Sequence, residues 1–69
     1  MDAINHVAAI RRAKGKKQQE LAMAAGLAQA TLSDIENGKI CPSIYLALRI
    51  AEALNCDVNE LFELERGKG

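Results

Sequence analysis

The sequence predicts an all-α fold, a compact bundle of five short helices, on three observations. Its apolar residues are 49% of 69 and mostly Ala, Leu and Ile, with Tyr45 and Phe62 the only aromatics, a composition that suits close helix packing. These residues recur at spacings of three and four, which keeps them on one helix face. Gly or Asn stands just past most of the periodic stretches, where a left-handed residue can stop a helix.

The first helix reads from about Ala3 to Lys14, with Ile4, Val7, Ala8 and Ile10 on its apolar side and Gly15 ending it. The second runs from about Gln18 to Ala25; Leu21, Ala22 and Ala25 share one face, and Gly26 stops it. The third runs from about Gln29 to Asn37, places Leu32 and Ile35 on one side, and ends at Asn37-Gly38. Residues 38–42 read as a loop. Ser43, following Pro42, is a good N-cap for a fourth helix. The core stripe of that helix reads Ile44, Ala47, Leu48, Ala51 and Leu54, and Asn55 takes the left-handed position after it. Asp57, with Glu60 three residues on, opens a short fifth helix that turns Val58, Leu61 and Phe62 inward. The tail Phe62-Glu63-Leu64-Glu65-Arg66 alternates apolar and polar residues, so it reads either as a short strand or as the frayed end of the fifth helix. A strand needs a partner, and none is evident within the chain; the same segment of a second molecule would supply one.

The stretch from Gln18 to Asn37 is the most informative. Two short amphipathic helices meet at a tight turn, and the small Ala22 lets them cross closely at a steep angle. That is the construction of a helix-turn-helix, whose second helix enters the major groove of DNA. The net charge is zero, but it is polarised. Arg11, Arg12, Lys14, Lys16 and Lys17 cluster without an intervening acid, while Glu52, Asp57, Glu60, Glu63 and Glu65 come later. A basic face of this kind suits phosphate, although cations at a helix C-terminus are also favoured by the helix dipole alone.

Other classes fit poorly. No apolar run approaches the ~20 residues that span a bilayer. Met1 to Ile10 carries Asp2, Asn5 and His6 and lacks the apolar centre of a signal peptide, so the expected location is cytoplasmic. Two cysteines make no disulfide framework and stay reduced there. Cys56 reads as a small core hydrophobe. Cys41 lies in a loop, where a redox role would depend on its exposure. His6 with two distant thiols is a poor metal set, so neither metal nor cofactor is expected. There is no nucleophile–base pair, no phosphate loop and no evident small-molecule site, which argues against an enzyme.

From Arg11 to Phe62 the chain closely resembles the lambda-repressor-like family of phage-type (Xre-like) helix-turn-helix regulators. The resemblance is carried by Arg11, Gln18, Glu20-Leu21-Ala22, Gly26, Leu32, Ile35-Glu36-Asn37-Gly38-Lys39, Pro42-Ser43, Ala47, Ile50-Ala51, Leu54 and Leu61-Phe62. It implies a five-helix bundle whose second and third helices form the DNA-reading pair. It extends to short stand-alone members, such as small repressors and controller proteins of restriction–modification systems, which act as homodimers, some joined through a short C-terminal strand. Lys17 and Ala28 depart from the family pattern, which often has Ser or Thr at these helix starts. Ala28 cannot cap, and a lost cap costs about 1 kcal/mol. Lys16 stands where an apolar residue is usual.

The resemblance places Gln29, Ala30, Thr31, Ser33 and Asp34 on the exposed start and outer face of the recognition helix. Their chemistry suits base edges: Gln pairs with adenine N6 and N7, the methyls of Ala30 and Thr31 meet thymine, and Asp34 accepts from cytosine N4. Gln18, Arg12, Lys16, Lys17, Asn37, Lys39 and Ser43 are the expected phosphate contacts. Arg11 and Glu36 are expected to form a structural ion pair. Leu46 and Ile50, off the core stripe, and Leu64 in the tail are the expected dimer surface. The whole reads as one DNA-binding domain over residues 1–69, its helix-turn-helix at about 18–37 and its tail, 63–69, dimerising. The expected function is that of a homodimeric regulator, a repressor rather than an activator, on double-stranded DNA with a near-palindromic operator. The rival is a protein-binding module on the same fold, of antitoxin or anti-repressor type.

Overall fold

A computed structural model describes residues 3–64 of the chain. The elements follow in the order β1 (Ala3–Asn5), α1 (Val7–Ala13), α2 (Gln18–Ala25), α3 (Gln29–Glu36), α4 (Ile44–Leu54), α5 (Val58–Leu61) and β2 (Phe62–Leu64). Helices α1 to α4 all end in the same way. A left-handed residue follows each: Gly15, Gly26, Gly38 and Asn55. The amide one residue later then bonds back five residues: Lys16 to Arg11, Leu27 to Ala22, Lys39 to Asp34 and Cys56 to Ala51, at 2.8–3.0 Å. This Schellman closure satisfies carbonyls that a helix end leaves open, and it turns the chain sharply toward the next helix. Gly26 is the tightest case, because its φ is +76° and an added Cβ would lie 3.1 Å from Arg49 Nη2.

The helix starts are capped by different means. Ser43 Oγ accepts from Leu46 N at 3.2 Å. Lys17 has no acceptor to offer, but the Glu20 carboxylate reaches back to its amide at 2.8 Å. Glu60 does the same for the Asp57 amide at 3.0 Å. Ala28 contributes no side-chain cap to α3.

The core lies where the faces of these helices meet. Val7, Leu21, Leu32, Ile35, Ile50 and Leu61 are fully buried, with Ala22, Ala25, Ala51 and Leu54 nearly so. Ile10, Leu27, Cys56, Val58 and Phe62 pack against them. Cys56 is the residue after the left-handed Asn55, which turns it onto the core. Burial pushes its thiol pKa up, with Glu60 adding to the effect, so it stays protonated near neutrality.

Three expectations from the sequence need correction. Helix α1 begins at Val7 rather than Ala3, because residues 3–5 are a strand. Asn5 is the cause. Its Nδ2 donates to the Ile35 carbonyl at 3.0 Å and its Oδ1 accepts from Val7 N at 3.3 Å, while His6 N donates to Leu61 O at 2.7 Å. Helical dihedrals over these residues would break that set. Second, the C-terminal strand has its partner within the chain. β1 and β2 pair antiparallel, with Ala3 opposite Leu64, Ile4 opposite Glu63 and Asn5 opposite Phe62. His6 Nε2 and Glu63 Oε1, 2.7 Å apart, clasp the two ends further. Residues 65–69 of the expected dimerising tail lie outside the described residues. Third, α4 is rotated from the expected stripe. Ile50 is completely buried and cannot be a partner surface, whereas Ile44 is 71% and Leu48 52% exposed. The buried set is Ala47, Ile50, Ala51 and Leu54, which also has helical periodicity. Contacts with α2 and α5 selected between two stripes that the sequence offers almost equally.

The rotation makes a testable distinction. Ile50→Ala should destabilise the fold by about 2–5 kcal/mol through cavity formation. Leu48→Ala, at a half-open position, should change stability far less. Urea unfolding of both variants measures this, and equal losses would contradict the burial.

Candidate nucleic-acid interface

Helix α3 is fixed by two side chains. Leu32 and Ile35 are fully buried, so the opposite face of the helix must point outward. Gln29 and Ala30 are exposed there, and Thr31, Ser33 and Asp34 are half-buried. Of the five residues expected to meet base edges, Gln29, Ala30, Ser33 and Asp34 share the outward side along most of the helix, and Thr31 flanks the buried Ile35. Ala22 and Ala25 on α2, each 2% exposed, keep the contact between α2 and α3 close.

The residues expected at phosphates divide between two flanks. Arg12, Lys16 and Lys17 are exposed around the α1–α2 turn. Asn37, Lys39 and Ser43 are exposed beyond the C-terminus of α3. Two of these have tasks within the fold. Ser43 caps α4, and Asn37 Nδ2 lies 3.4 Å from Ser33 Oγ, a long contact across one turn. Gln18 is half-buried, and both ends of its amide are engaged within the protein. Its Nε2 donates to Glu36 Oε1 at 3.0 Å, and its Oε1 accepts from Gln29 Nε2 at 3.3 Å.

Beneath this surface lies a buried ion pair. Arg11 Nε donates to Glu36 Oε2 at 2.7 Å, and Nη2 donates to Oε1 at 3.2 Å. The two side chains are 10% and 5% exposed. Arg11 Nη1 donates to the Lys16 carbonyl at 3.0 Å. The carboxylate therefore joins the end of α3 to the end of α1, and the guanidinium also holds the turn into α2. No buried polar side-chain atom among the described residues lacks a partner. A planar, bidentate arrangement of this kind suits Arg and would not survive replacement by Lys.

Arg11, Glu36, Gln18 and Gln29 form one hydrogen-bonded chain from the core to the tip of α3. Sequence reasoning singles out all four residues but not the links that join Gln18 to Glu36 and to Gln29. The only available signal is that Gln18 and Gln29 each open a helix; their contact depends on how α2 and α3 cross. Arg49 also has no role readable from the sequence. Its guanidinium lies 5.7 Å over the Tyr45 ring and donates to the Tyr45 hydroxyl at 2.9 Å.

Among the described residues, no cluster of His, Cys, Asp and Glu could hold a metal ion, and no helix is long and apolar enough to cross a membrane. Cys41 is exposed and Cys56 partly buried, both as free thiols.

Comparison with known proteins agrees with this architecture. Residues 7–61 match the helix-turn-helix family. A 10 kDa protein of the ImmF control region of Bacillus phage phi105 is 47% identical over 51 residues, covering 74% of this chain and 57% of that protein. The chain thus spans little more than half of the phage protein's length. An HTH-type transcriptional regulator of Bacillus subtilis, YgzD, is 34% identical over 61 residues, covering 88% of this chain and 92% of its own. Among solved structures, the restriction-modification controller protein C.AhdI from Aeromonas hydrophila superposes with a TM-score of 0.80 at 33% identity, over 83% of this chain and 86% of the controller.

The buried pair should behave asymmetrically under mutation. Glu36→Ala or Arg11→Ala strands a charge and should cost about 3–5 kcal/mol. Replacing both with apolar side chains of similar size, Arg11→Met with Glu36→Leu, should recover most of that loss. Denaturant titration of the double-mutant cycle gives the answer; additive losses would show that the pair does not act as a unit.

Proposed function

Since the chain belongs to the lambda-repressor-like helix-turn-helix family of DNA-binding regulators, we propose that it acts as a homodimer on a near-palindromic operator, more as a repressor than as an activator. By family it is a transcription regulator and not an enzyme. One observation carries the reading: Leu32 and Ile35 bury one side of α3 completely and leave its polar side, led by Gln29, outside.

On this reading residues 1–69 act as one DNA-binding domain. Gln29, Ala30, Thr31, Ser33 and Asp34 enter the major groove and read base edges. Gln29 bonds adenine through its amide. Arg12, Lys16 and Lys17 hold the phosphates on one side, and Asn37, Lys39 and Ser43 hold them on the other. The four cations among them, Arg12, Lys16, Lys17 and Lys39, raise affinity for any duplex, while the base contacts make the choice among sequences. The polarised charge fits this division.

A homodimer places its two recognition helices about 34 Å apart, one turn of DNA. Its surface is drawn from the apolar side chains that the fold leaves outside. Ile44, Tyr45 and Leu48 are 71%, 62% and 52% exposed on α4, and Leu64 is 61% exposed on β2. Leu46 is half-buried and points away from the face that Ile44 and Leu48 share. The patch of Ile44, Tyr45 and Leu48 on one face of α4 favours a self-association site over random exposure. The same apolar face would also serve a protein-partner module, which is the second reading.

Binding to a duplex from the promoter of its own gene, measured against a scrambled duplex across a salt series, tests the proposal. A promoter preference that persists with salt and disappears in Gln29→Ala is expected. Lys17→Ala should weaken both duplexes alike and flatten the salt slope by about 1. Equal binding of the wild type to both duplexes would leave phosphate contacts alone, and no binding to any selected DNA would favour the protein-partner reading. In sedimentation, Leu48→Glu should shift the protein to monomer without unfolding it; an unchanged dimer would move the interface elsewhere.

A further inference from the structure

Lys39 can meet a phosphate only if the turn after α3 holds it in place, and a residue far from the helix-turn-helix holds that turn. Resting on the reading of Lys39 as a phosphate contact, we infer that Asn5 is a positioning residue for DNA binding: from the terminal sheet it fixes the turn that carries Lys39.

The turn is built on two carbonyls at the end of α3. Lys39 N donates to Asp34 O at 2.8 Å, and Gly38 N donates to Ile35 O at 3.1 Å. Ile35 O also accepts from Asn5 Nδ2 at 3.0 Å, across 30 residues of sequence. Packing does little at this point. A Cβ added at the left-handed Gly38 would meet nothing within 4 Å. A cleft of about 450 Å³ lies between the loop and the sheet, with Asn5, Lys39, Pro42 and Phe62 among its walls. The Asn5 amide bridges the two sides by a directional bond.

The sheet decides that Asn5 faces α3. Asn5 pairs with Phe62, and Ile4 pairs with Glu63. Paired residues share a face, and successive residues alternate between faces. Phe62 packs against the core, so Asn5 turns inward with it, while Ile4 is 41% exposed on the other face. A slip of one residue would turn Asn5 away from Ile35 and break the bond. His6 resists that slip: its amide donates to Leu61 O at 2.7 Å, and its Nε2 lies 2.7 Å from Glu63 Oε1.

The amide is also oriented. Asn5 Oδ1 accepts from Val7 N at 3.3 Å. One end of the side chain thus meets an N–H and the other a carbonyl, and turning it round would set like against like at both ends. An Asp here has no donor for Ile35 O, and a Ser is too short to serve both groups. Ordering a loose turn at the moment of binding costs free energy, and holding it in the free protein removes that cost. Asn5 therefore raises affinity without being expected to touch DNA.

The test uses the full chain and a duplex selected by the wild type from random-sequence DNA, titrated across a salt series. Lys39→Ala should lower the salt slope by about 1. Asn5→Ser keeps an acceptor for Val7 N, adds no charge and removes the tie to Ile35. Checked for folding by circular dichroism, it should weaken binding and lower the slope by the same amount as Lys39→Ala. The double variant should lower the slope by about 1 in total and not by about 2, because both changes remove one phosphate contact. A purely structural role of Asn5 would reduce stability and leave the slope at its wild-type value. An unchanged slope in Asn5→Ser, or an additive double variant, overturns the inference and leaves the Lys39 contact standing. An unchanged slope in Lys39→Ala removes the contact itself, and the inference falls with it. Coupling is reciprocal, so the unaltered chain gives a further measurement. The duplex should slow hydrogen exchange of the Asn5 side-chain NH2, followed by NMR, in the wild type and not in Lys39→Ala. Equal exchange with and without DNA overturns the inference even if Asn5→Ser fails to fold.

Discussion

The ion pair between Arg11 and Glu36 is the constraint on which the placement of α3 depends. It is nearly buried, bidentate and shared by three parts of the chain. Without it, α3 would be held to the core mainly by Leu32 and Ile35, two side chains on one stripe. Two such contacts resist lifting of a helix better than they resist its rotation. The carboxylate at the end of α3 adds a directional tie, and the Schellman turn at Gly15 presents the Lys16 carbonyl to the same guanidinium. A buried charge pair is weak evidence for stability, because desolvation opposes the attraction. Here its value lies in geometry: it fixes the angle of α3 against α1 and the turn into α2.

The rest of the architecture compensates for small size. Among the described residues the longest helix, α4, has 11 residues and α5 has four, lengths at which isolated helices do not persist in water. Stability has to come from packing and from well-closed ends. The repeated left-handed termini supply the closure, and the carboxylates of Glu20 and Glu60 cap helix starts by reaching back to the preceding amides. The short sheet between β1 and β2 joins the N- and C-terminal ends, and His6 N and Asn5 connect that sheet to α5 and α3. A tie between chain ends removes fraying where a core of this size can least tolerate it.

The surface divides its chemistry between two helices. α3 turns polar side chains outward and α4 turns apolar ones outward, while the basic residues gather at the α1–α2 turn. This division fits a protein that meets DNA on one side and a protein surface on the other. It also explains how a chain of zero net charge can serve nucleic acid, since potential depends on the arrangement of charges and not on their sum.

The sequence by itself determined the five helices, where α1 to α4 stop, and the family. Gly26, Gly38 and Asn55 stop helices for a local reason, the cost of a left-handed backbone, which neighbouring residues cannot override cheaply. Ser43 and the pairing of Glu20 and Glu60 with the amides before them are equally local. What the tertiary structure decided involves partners distant in sequence. Asn5 draws residues 3–5 out of a helix because the Ile35 carbonyl lies within reach, 30 residues away. β2 finds β1 across the whole chain. On α4 the sequence offers two apolar stripes, and only packing against α2 and α5 buries Ile50 and exposes Leu48. Gln18 bonds Glu36 and Gln29 because two helices cross at a particular angle, and no spacing along the chain encodes that angle. Local rules fix where most of these helices end; where α1 begins, and which way α4 faces, are settled by what they pack against.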